Sequence, residues 1–189
     1  MQVSFFFVSL GTGCATFSPS ASSGLKLLSK NAVRLELPFE AQTATNLCGI
    51  ASLDMLTNYY QLPLKTNELE GLEDEARSTD GISGDSMKLA LEEAGYFVKV
   101  FPGTLDHQES GLYHHIDLKR PLIVMTGTSP RHYCLAIGYD QDTAMIVLLD
   151  PALGQMAMPI NSFMRDWKEA NCFTLFAVPD QKDPGLKTK

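Results

Sequence analysis

The sequence predicts an α+β domain in which helices come first and an antiparallel sheet follows. Between Cys48 and Gly95 the apolar residues recur at helical spacing. Beyond Gly95 the pattern changes to short apolar runs that are typical of strands. Helices and strands that occupy separate stretches of a chain favour an antiparallel sheet with the helices packed against it.

Three helices are predicted in the first half of the domain. The first begins at or just before Cys48 and continues without proline through CGIASLDMLTNYY. The second covers residues 66–77 and is amphipathic, with Glu and Asp on its polar side. The third starts at Ser83 or Asp85, since either side chain can cap a helix, and it stops at Gly95.

The other predicted elements are mostly strands. A first strand, VRLELPF, has alternating apolar residues and is stopped by Pro38. Later runs rich in Val, Ile, Leu, Tyr and Phe predict four more strands, then a last helix and a closing strand. The strands are 33–39, 96–101, 121–127, 132–140, 144–151 and 172–178, and the last helix is 160–168. Residues 102–116 are expected to form a loop.

Composition and charge exclude several classes of protein. Hydrophobic residues make up 44% of the chain and charged residues 20%, values typical of a folded domain. The formal net charge is −7 and no cluster of Lys and Arg occurs, so nucleic acid is not an expected partner. The four cysteines stand far apart, without the close spacing of a zinc site. We expect neither a metal nor an organic cofactor.

The first residues predict an attachment to a membrane. Residues 3–10 form an apolar run, too short to span a bilayer, that is followed by small residues and Cys14. This arrangement resembles a bacterial lipoprotein signal in residues 1–13, with Cys14 as the lipidated residue at the cell envelope. Residues 14–30 are then a flexible tether, 31–179 the domain and 180–189 a tail. The alternative is a frayed apolar terminus of a cytoplasmic protein.

Three side chains suit nucleophilic catalysis. Cys48 stands at a predicted helix N-terminus, where unpaired N–H groups and the helix dipole favour an anionic sulfur. His132 begins a strand and Asp150 ends the next one, so a hairpin between them places the two side chains together. Gln42 lies six residues ahead of Cys48, where its amide can donate to an oxyanion beside the Cys48 N–H.

The same residues carry a resemblance to a known family. Gln42, five further residues, and then Cys48 and Gly49 at a helix start resemble the bacteriocin-processing, double-glycine leader peptidases. The resemblance continues through DGISGDSMKLALEEAGY, PLIVM, HYCLAIGYD and LLDPALG. It implies a papain-like cysteine peptidase fold, a Cys48, His132 and Asp150 triad, Gln42 in the oxyanion hole and a peptide or protein substrate. Because the sequence contains no P-loop, we expect a stand-alone lipoprotein member.

Two other functions are open at this point. One is a lipid-anchored domain of the same fold that captures peptides without cutting them. The other is an amidase or acyl transferase, because the same triad serves acyl transfer in general.

The remaining cysteines and histidines have structural interpretations. We expect Cys134 and Cys172 to pack in the core, and to form a disulfide only if their strands are neighbours. For His107, His114 and His115 a solvated loop is favoured over a metal site, because adjacent histidines lack the helical spacing of a zinc pair.

Overall fold

Seven antiparallel strands organise the part of the chain that the structure, a computed structural model, describes, which is residues 24–127 and 131–180. Six of them lie in the order β2-β7-β3-β4-β5-β6, and β1 pairs with β4. The strands are β1 (Val33–Arg34), β2 (Tyr96–Pro102), β3 (Leu122–Thr126), β4 (His132–Asp140), β5 (Met145–Asp150), β6 (Gly154–Pro159) and β7 (Phe173–Pro179).

Five complete helices lie within the described residues, four of them against this sheet and the second against the first helix. A short 3-10 turn, Thr45–Leu47, leads directly into the first helix. That helix contacts β3 and β4, the third contacts β2 and β7, and the last contacts β3, β5 and β6. The helices are α1 (Cys48–Tyr59), α2 (Thr66–Thr79), α3 (Gly84–Glu93), α4 (Leu112–Asp117) and α5 (Ile160–Glu169).

The helices form where the sequence supplies both an apolar face and a suitable start. Leu53, Met55 and Leu56 of α1 are fully buried, which explains the continuous apolar pattern of that segment. Ser83 caps α3, since its side-chain oxygen accepts a hydrogen bond of 3.0 Å from the backbone N–H of Ser86.

The core continues under the last helix. Phe163 and Trp167 are fully buried and stack with ring centroids 5.1 Å apart. The indole Nε1 of Trp167 donates to the carbonyl oxygen of Phe173 at 3.0 Å, so the one polar atom of this side chain is satisfied. This link ties α5 to the start of β7.

The predicted α+β class is confirmed, with differences in individual elements. The first strand, expected at residues 33–39, is only two residues long. Its last hydrogen bond to β4 is donated by the Leu35 N–H to the Ile137 carbonyl oxygen at 2.8 Å, and the chain then leaves the sheet. Strand β6 and helix α4 were not predicted. Each has six residues, and neither carries the β-branched run or the several helical turns that make such elements recognisable.

Helix α4 corrects the expectation of a solvated loop for the three histidines. His115 lies in this helix and is only 5% exposed, and its Nε2 bonds to the Glu109 carbonyl oxygen at 2.9 Å. His107 remains half exposed, 3.0 Å from Asp117. The expected loop therefore describes His107 and is wrong for His114, which is half-buried in the same helix, and for His115.

The folded part begins before residue 31, the expected boundary. Leu25 and Leu28 pack against the core, and the Ser29 hydroxyl donates to Asp140 Oδ1 at 3.1 Å. The described end of the expected tether is thus part of the domain. The predicted signal, Cys14 and residues 181–189 lie outside the described residues, so those predictions stay predictions. None of the described helices combines the length and the hydropathy needed to cross a bilayer.

Two leucines of α3 provide a matched test of this packing. Leu91 is fully buried, whereas Leu89 on the same helix is 57% exposed. We expect Leu91→Ala to lower the free energy of unfolding by about 2–5 kcal/mol, because it leaves a cavity, and Leu89→Ala to change it by about 0.5 kcal/mol or less. Urea unfolding followed by circular dichroism measures both, and equal losses would contradict the described position of α3.

Candidate active site

Cys48 is the first residue of α1 and is 6% exposed. The first N–H groups of a helix have no partner within it, and the positive end of the helix dipole favours an anion there. The next residue, Gly49, permits close packing, since a Cβ atom at that position would lie 2.6 Å from Ile82 Cγ1. The turn before α3 thus packs tightly against the helix end that carries the thiol.

His132 and Asp150 come together through the hairpin of β4 and β5. Leu135 pairs with Leu149 in this hairpin, which brings the start of β4 beside the end of β5. His132 Nε2 lies 3.0 Å from Asp150 Oδ2. Because a carboxylate only accepts hydrogen bonds, Nε2 carries the proton and Nδ1 is left for Cys48.

The carboxylate of Asp150 is fixed by its own loop. Its Oδ1 accepts hydrogen bonds from the backbone N–H groups of Ala152 at 2.7 Å and Leu153 at 3.1 Å. Burial raises the pKa of Asp150, but the hydrogen bond and charge of His132, together with these two N–H groups, outweigh burial and hold the pKa below its ordinary value. Asp150 is therefore an anion aimed at the imidazole.

The three groups shift one another's protonation. Burial raises the pKa of the Cys48 thiol, but the hydrogen bond and charge of His132 and the backbone N–H groups of Tyr133 and Gly49 outweigh it and hold the pKa below its ordinary value. Burial lowers the pKa of His132, but hydrogen bonds and charges of Asp150 and Cys48 raise it well above its usual range. Both shifts favour a thiolate and imidazolium pair at neutral pH.

The thiol and the imidazole line a groove of about 1050 Å³. Cys48, His132 and Gln42 all contribute to its lining. Residues 79–85, which include the turn between α2 and α3, form part of its wall, and Phe173 of β7 adds an aromatic surface. The thiol thus stands in a groove large enough for several residues of an extended peptide.

Gln42 enters this groove with its amide already partly engaged. Its backbone N–H donates to the Pro151 carbonyl oxygen at 2.9 Å, which ties the loop before α1 to the loop after Asp150. Side-chain Nε2 donates to the Ala44 carbonyl oxygen at 3.0 Å, and Oε1 is buried without a partner among the described residues. The amide nitrogen has a second hydrogen, which is free to bind an oxyanion.

The other cysteines stand apart from this chemistry. Cys134 is buried in β4, and burial, the largest cause, raises its pKa, so its thiol is kept neutral. Cys172 is partly buried, and both thiols are free. Strand β3 lies between β4 and β7, so the strands of the two cysteines are not neighbours. The prediction of core packing is confirmed for Cys134.

Sequence reasoning missed several groups that surround the thiol. The backbone N–H of Tyr133 stabilises the sulfur anion, and no side-chain pattern reveals such a donor. The carboxylates of Glu75, Asp80 and Asp85 line the same groove. The sequence shows the DGISGD segment around Asp80, but its position beside Cys48 depends on the packing of α2 against α1 and of Ile82 against Gly49.

Comparison with known proteins gives a family match. The sequence model of the peptidase C39 family matches residues 36–178, which is well over half of the chain and includes Gln42, Cys48, His132 and Asp150. A search of the curated proteins finds no match.

Solved structures share the fold at low sequence identity. A double-glycine motif protease from an AMS/PCAT transporter, in complex with the leader peptide, is 21% identical with a TM-score of 0.61, over 77% of this chain and 94% of that chain. The peptidase domain of Streptococcus ComA, a bifunctional ABC transporter of a quorum-sensing pathway, is 19% identical with a TM-score of 0.59, over 76% and 98%. A C39-like peptidase from Bacillus anthracis is 18% identical with a TM-score of 0.59, over 78% and 97%.

The protonation of Cys48 can be tested by alkylation with iodoacetamide as a function of pH. Because the thiolate is the reactive form, we expect the midpoint of the rate at Cys48 to lie at a pH below the ordinary thiol pKa of about 8.5. In His132→Ala the midpoint should move upward, since the hydrogen bond and positive charge are lost. Mass spectrometry locates the alkylated residue, and a short cysteine peptide is the reference. A wild-type midpoint equal to that of the peptide would contradict the activation.

Proposed function

This chain belongs to the peptidase C39 family, and we propose that it hydrolyses a peptide bond through a thioester formed on Cys48. The observation that carries the proposal is the position of the His132 imidazole. Its Nε2 is hydrogen-bonded to Asp150 Oδ2 at 3.0 Å, and the ring lowers the pKa of the Cys48 thiol, which lines an open groove. A thiolate, an imidazolium and an orienting carboxylate are the parts that acyl transfer requires.

In the first half of the reaction the Cys48 sulfur attacks the carbonyl carbon of the substrate. The resulting tetrahedral intermediate collapses, the bond to the amine breaks, and His132 Nδ1 gives its proton to the leaving nitrogen. Asp150 holds the ring in the orientation in which Nδ1 faces the sulfur, because it binds the opposite nitrogen. The acyl group remains on Cys48 as a thioester.

The second half restores the enzyme. His132, now neutral, accepts a proton from a water molecule, and the hydroxide that forms attacks the thioester carbonyl. The carboxylic acid product leaves and the sulfur is again paired with the imidazolium. The low pKa of Cys48 supports this step, since a stable thiolate is a good leaving group.

We assign the oxyanion hole to the backbone N–H of Cys48 and the side-chain amide of Gln42. The first stands at the start of α1, where the N–H groups lack a partner within that helix. The second lies in the same groove, and its bond to the Ala44 carbonyl oxygen uses one of the two hydrogens on Nε2 and fixes the amide. A fixed donor costs no reorganisation when charge develops on the oxygen.

A peptide substrate is favoured by the groove and by a relative. The groove extends beyond the thiol along residues 79–85, which suits an extended chain. One similar structure, a double-glycine motif protease, contains its leader peptide. We therefore propose a peptide or protein segment as the substrate of this chain.

Removal of the Cys48 thiol distinguishes peptide hydrolysis from peptide binding without cleavage. We expect wild-type protein to cleave members of a peptide library, and Cys48→Ala to cleave none while it still binds them, as read by mass spectrometry and fluorescence anisotropy. Cys172→Ser is the matched control, because Cys172 does not line the groove, and it should retain activity.

Three results would contradict the proposed hydrolysis. They are cleavage by Cys48→Ala, binding without cleavage by the wild-type protein, and wild-type activity that is restricted to amide bonds of cell-wall fragments. The second result would indicate a binding domain, and the third an amidase.

Gln42 provides a separate test of the oxyanion hole. Gln42→Ala should lower kcat by a factor of about 10²–10³, because one donor to the oxyanion is lost, and should change KM much less. The neighbouring Thr43 is exposed and does not line the groove, so Thr43→Ala is the control. Steady-state kinetics with a peptide from the library measures both. If KM rises and kcat is unchanged, Gln42 is instead assigned to substrate binding.

A further inference from the structure

One wall of the groove carries three carboxylates from three consecutive elements. Glu75 belongs to α2, Asp80 follows the end of that helix, and Asp85 lies in the first turn of α3. All three line the groove that contains Cys48. Neither the proposed proton transfers nor the oxyanion hole uses them.

These carboxylates have no cationic partner in the part of the chain that the structure describes. The arginine nearest in sequence, Arg77, is paired with Glu73 and Asp74 instead. Glu75 is held in place by neutral donors, since its Oε1 accepts from the Ser83 N–H at 3.0 Å and from the Ser86 hydroxyl at 2.8 Å. The negative charge of this wall is therefore not neutralised by the protein.

The carboxylates do not form a metal site. Within residues 24–127 and 131–180 no group of three or more His, Cys, Asp or Glu side chains is placed to hold a metal ion. Asp80 and Asp85 are exposed, and Glu75 is half-buried. A metal ion needs several carboxylates to converge on it. A Lys or Arg side chain needs only one carboxylate within contact distance, and the others can attract it from further away.

The groove also contains a guanidinium group. Arg131, next to His132, is the one Lys or Arg among the described residues that line it. The two sets of charges act on the same group near the catalytic centre. Burial and the charges of Cys48, Glu75 and Asp85 raise the pKa of Tyr133 to about 12, against the effect of Arg131. Among the described residues that line the groove, three carboxylates thus stand against one Lys or Arg side chain.

We propose that the catalytic groove selects peptides with a Lys or Arg side chain close to the scissile bond, and that Glu75, Asp80 and Asp85 recognise this cation. The inference rests on the proposed peptidase function and specifies its substrate class. A cation in the groove gains attraction from three carboxylates at once, whereas an anion in the same position is repelled. A bound Lys or Arg side chain can donate hydrogen bonds to the carboxylate that it meets, while the other carboxylates attract it through their charge.

The charge of the groove can be measured without turnover. Cationic and anionic methanethiosulfonates of equal size modify the same thiol, so the ratio of their rates at Cys48 reports the local potential. The rate for the cationic reagent is divided by the rate for the anionic one, and we expect this ratio to be roughly tenfold larger at Cys48 than in a free cysteine peptide. An effect of this size corresponds to the energy of a few surface ion pairs. High salt should reduce the ratio.

Neutral variants identify the source of the potential. In Asp80→Asn/Asp85→Asn the rate ratio should fall towards that of the peptide. Asn is the suitable replacement because Asp80 has φ of 57°, a left-handed conformation that Asn tolerates. Glu70→Gln removes one negative charge from an exposed position of α2 outside the groove and should leave the ratio unchanged. An unchanged ratio in the double variant would overturn the assignment.

Peptides decide the substrate class. Sets that differ only by Lys, Gln or Glu, placed in turn on either side of the scissile bond, are titrated into Cys48→Ala by fluorescence anisotropy. We expect Lys at one or more positions to bind about tenfold more tightly than Glu, and the difference to shrink when Asp80→Asn/Asp85→Asn is added. Equal affinity for Lys and Glu at every position would overturn the inference.

The same peptides separate this inference from the peptidase proposal. If wild-type protein cleaves them at rates that do not depend on charge, the substrate class is wrong and the peptidase stands. If the Lys peptides bind selectively and no peptide is cleaved, the charge recognition stands and hydrolysis is wrong.

Discussion

The arrangement at the thiol depends on the hydrogen bond between His132 Nε2 and Asp150 Oδ2. This bond directs the other ring nitrogen towards Cys48, and the charge of Asp150 stabilises the imidazolium that in turn stabilises the thiolate. The β4–β5 hairpin and two backbone N–H groups behind Asp150 hold the carboxylate rigidly. Without that anchor the pKa of the imidazole would fall and the thiol would behave like an ordinary buried cysteine.

The thiol reaches this pair because a helix end and two strand ends meet. Helix α1 packs on β3 and β4, and its first residue is Cys48, so the sulfur is held where the helix dipole and the Tyr133 N–H both favour an anion. Gly49 keeps the first turn close to Ile82. The loop with Gln42 is tied to Pro151, which links the proposed oxyanion donor to the loop behind Asp150.

The groove combines the proposed catalytic centre, which is general, with a particular charge pattern. The centre fits any acyl transfer, and the family membership of residues 36–178 favours peptide bonds. The carboxylates of Glu75, Asp80 and Asp85 line the groove but take no part in the proposed chemistry. Selectivity can therefore differ between members of the fold while the catalytic centre is kept.

The sequence by itself determined the local elements with long, regular patterns and the identities of the reactive side chains. Helices α1 to α3 and most strands were predictable, because burial imposes a period on many consecutive residues. Only the tertiary structure decided the short elements α4 and β6, the burial of His115, the Tyr133 donor and the acidic wall. These depend on contacts between segments that are distant in the chain, and such contacts leave no periodic trace in the sequence.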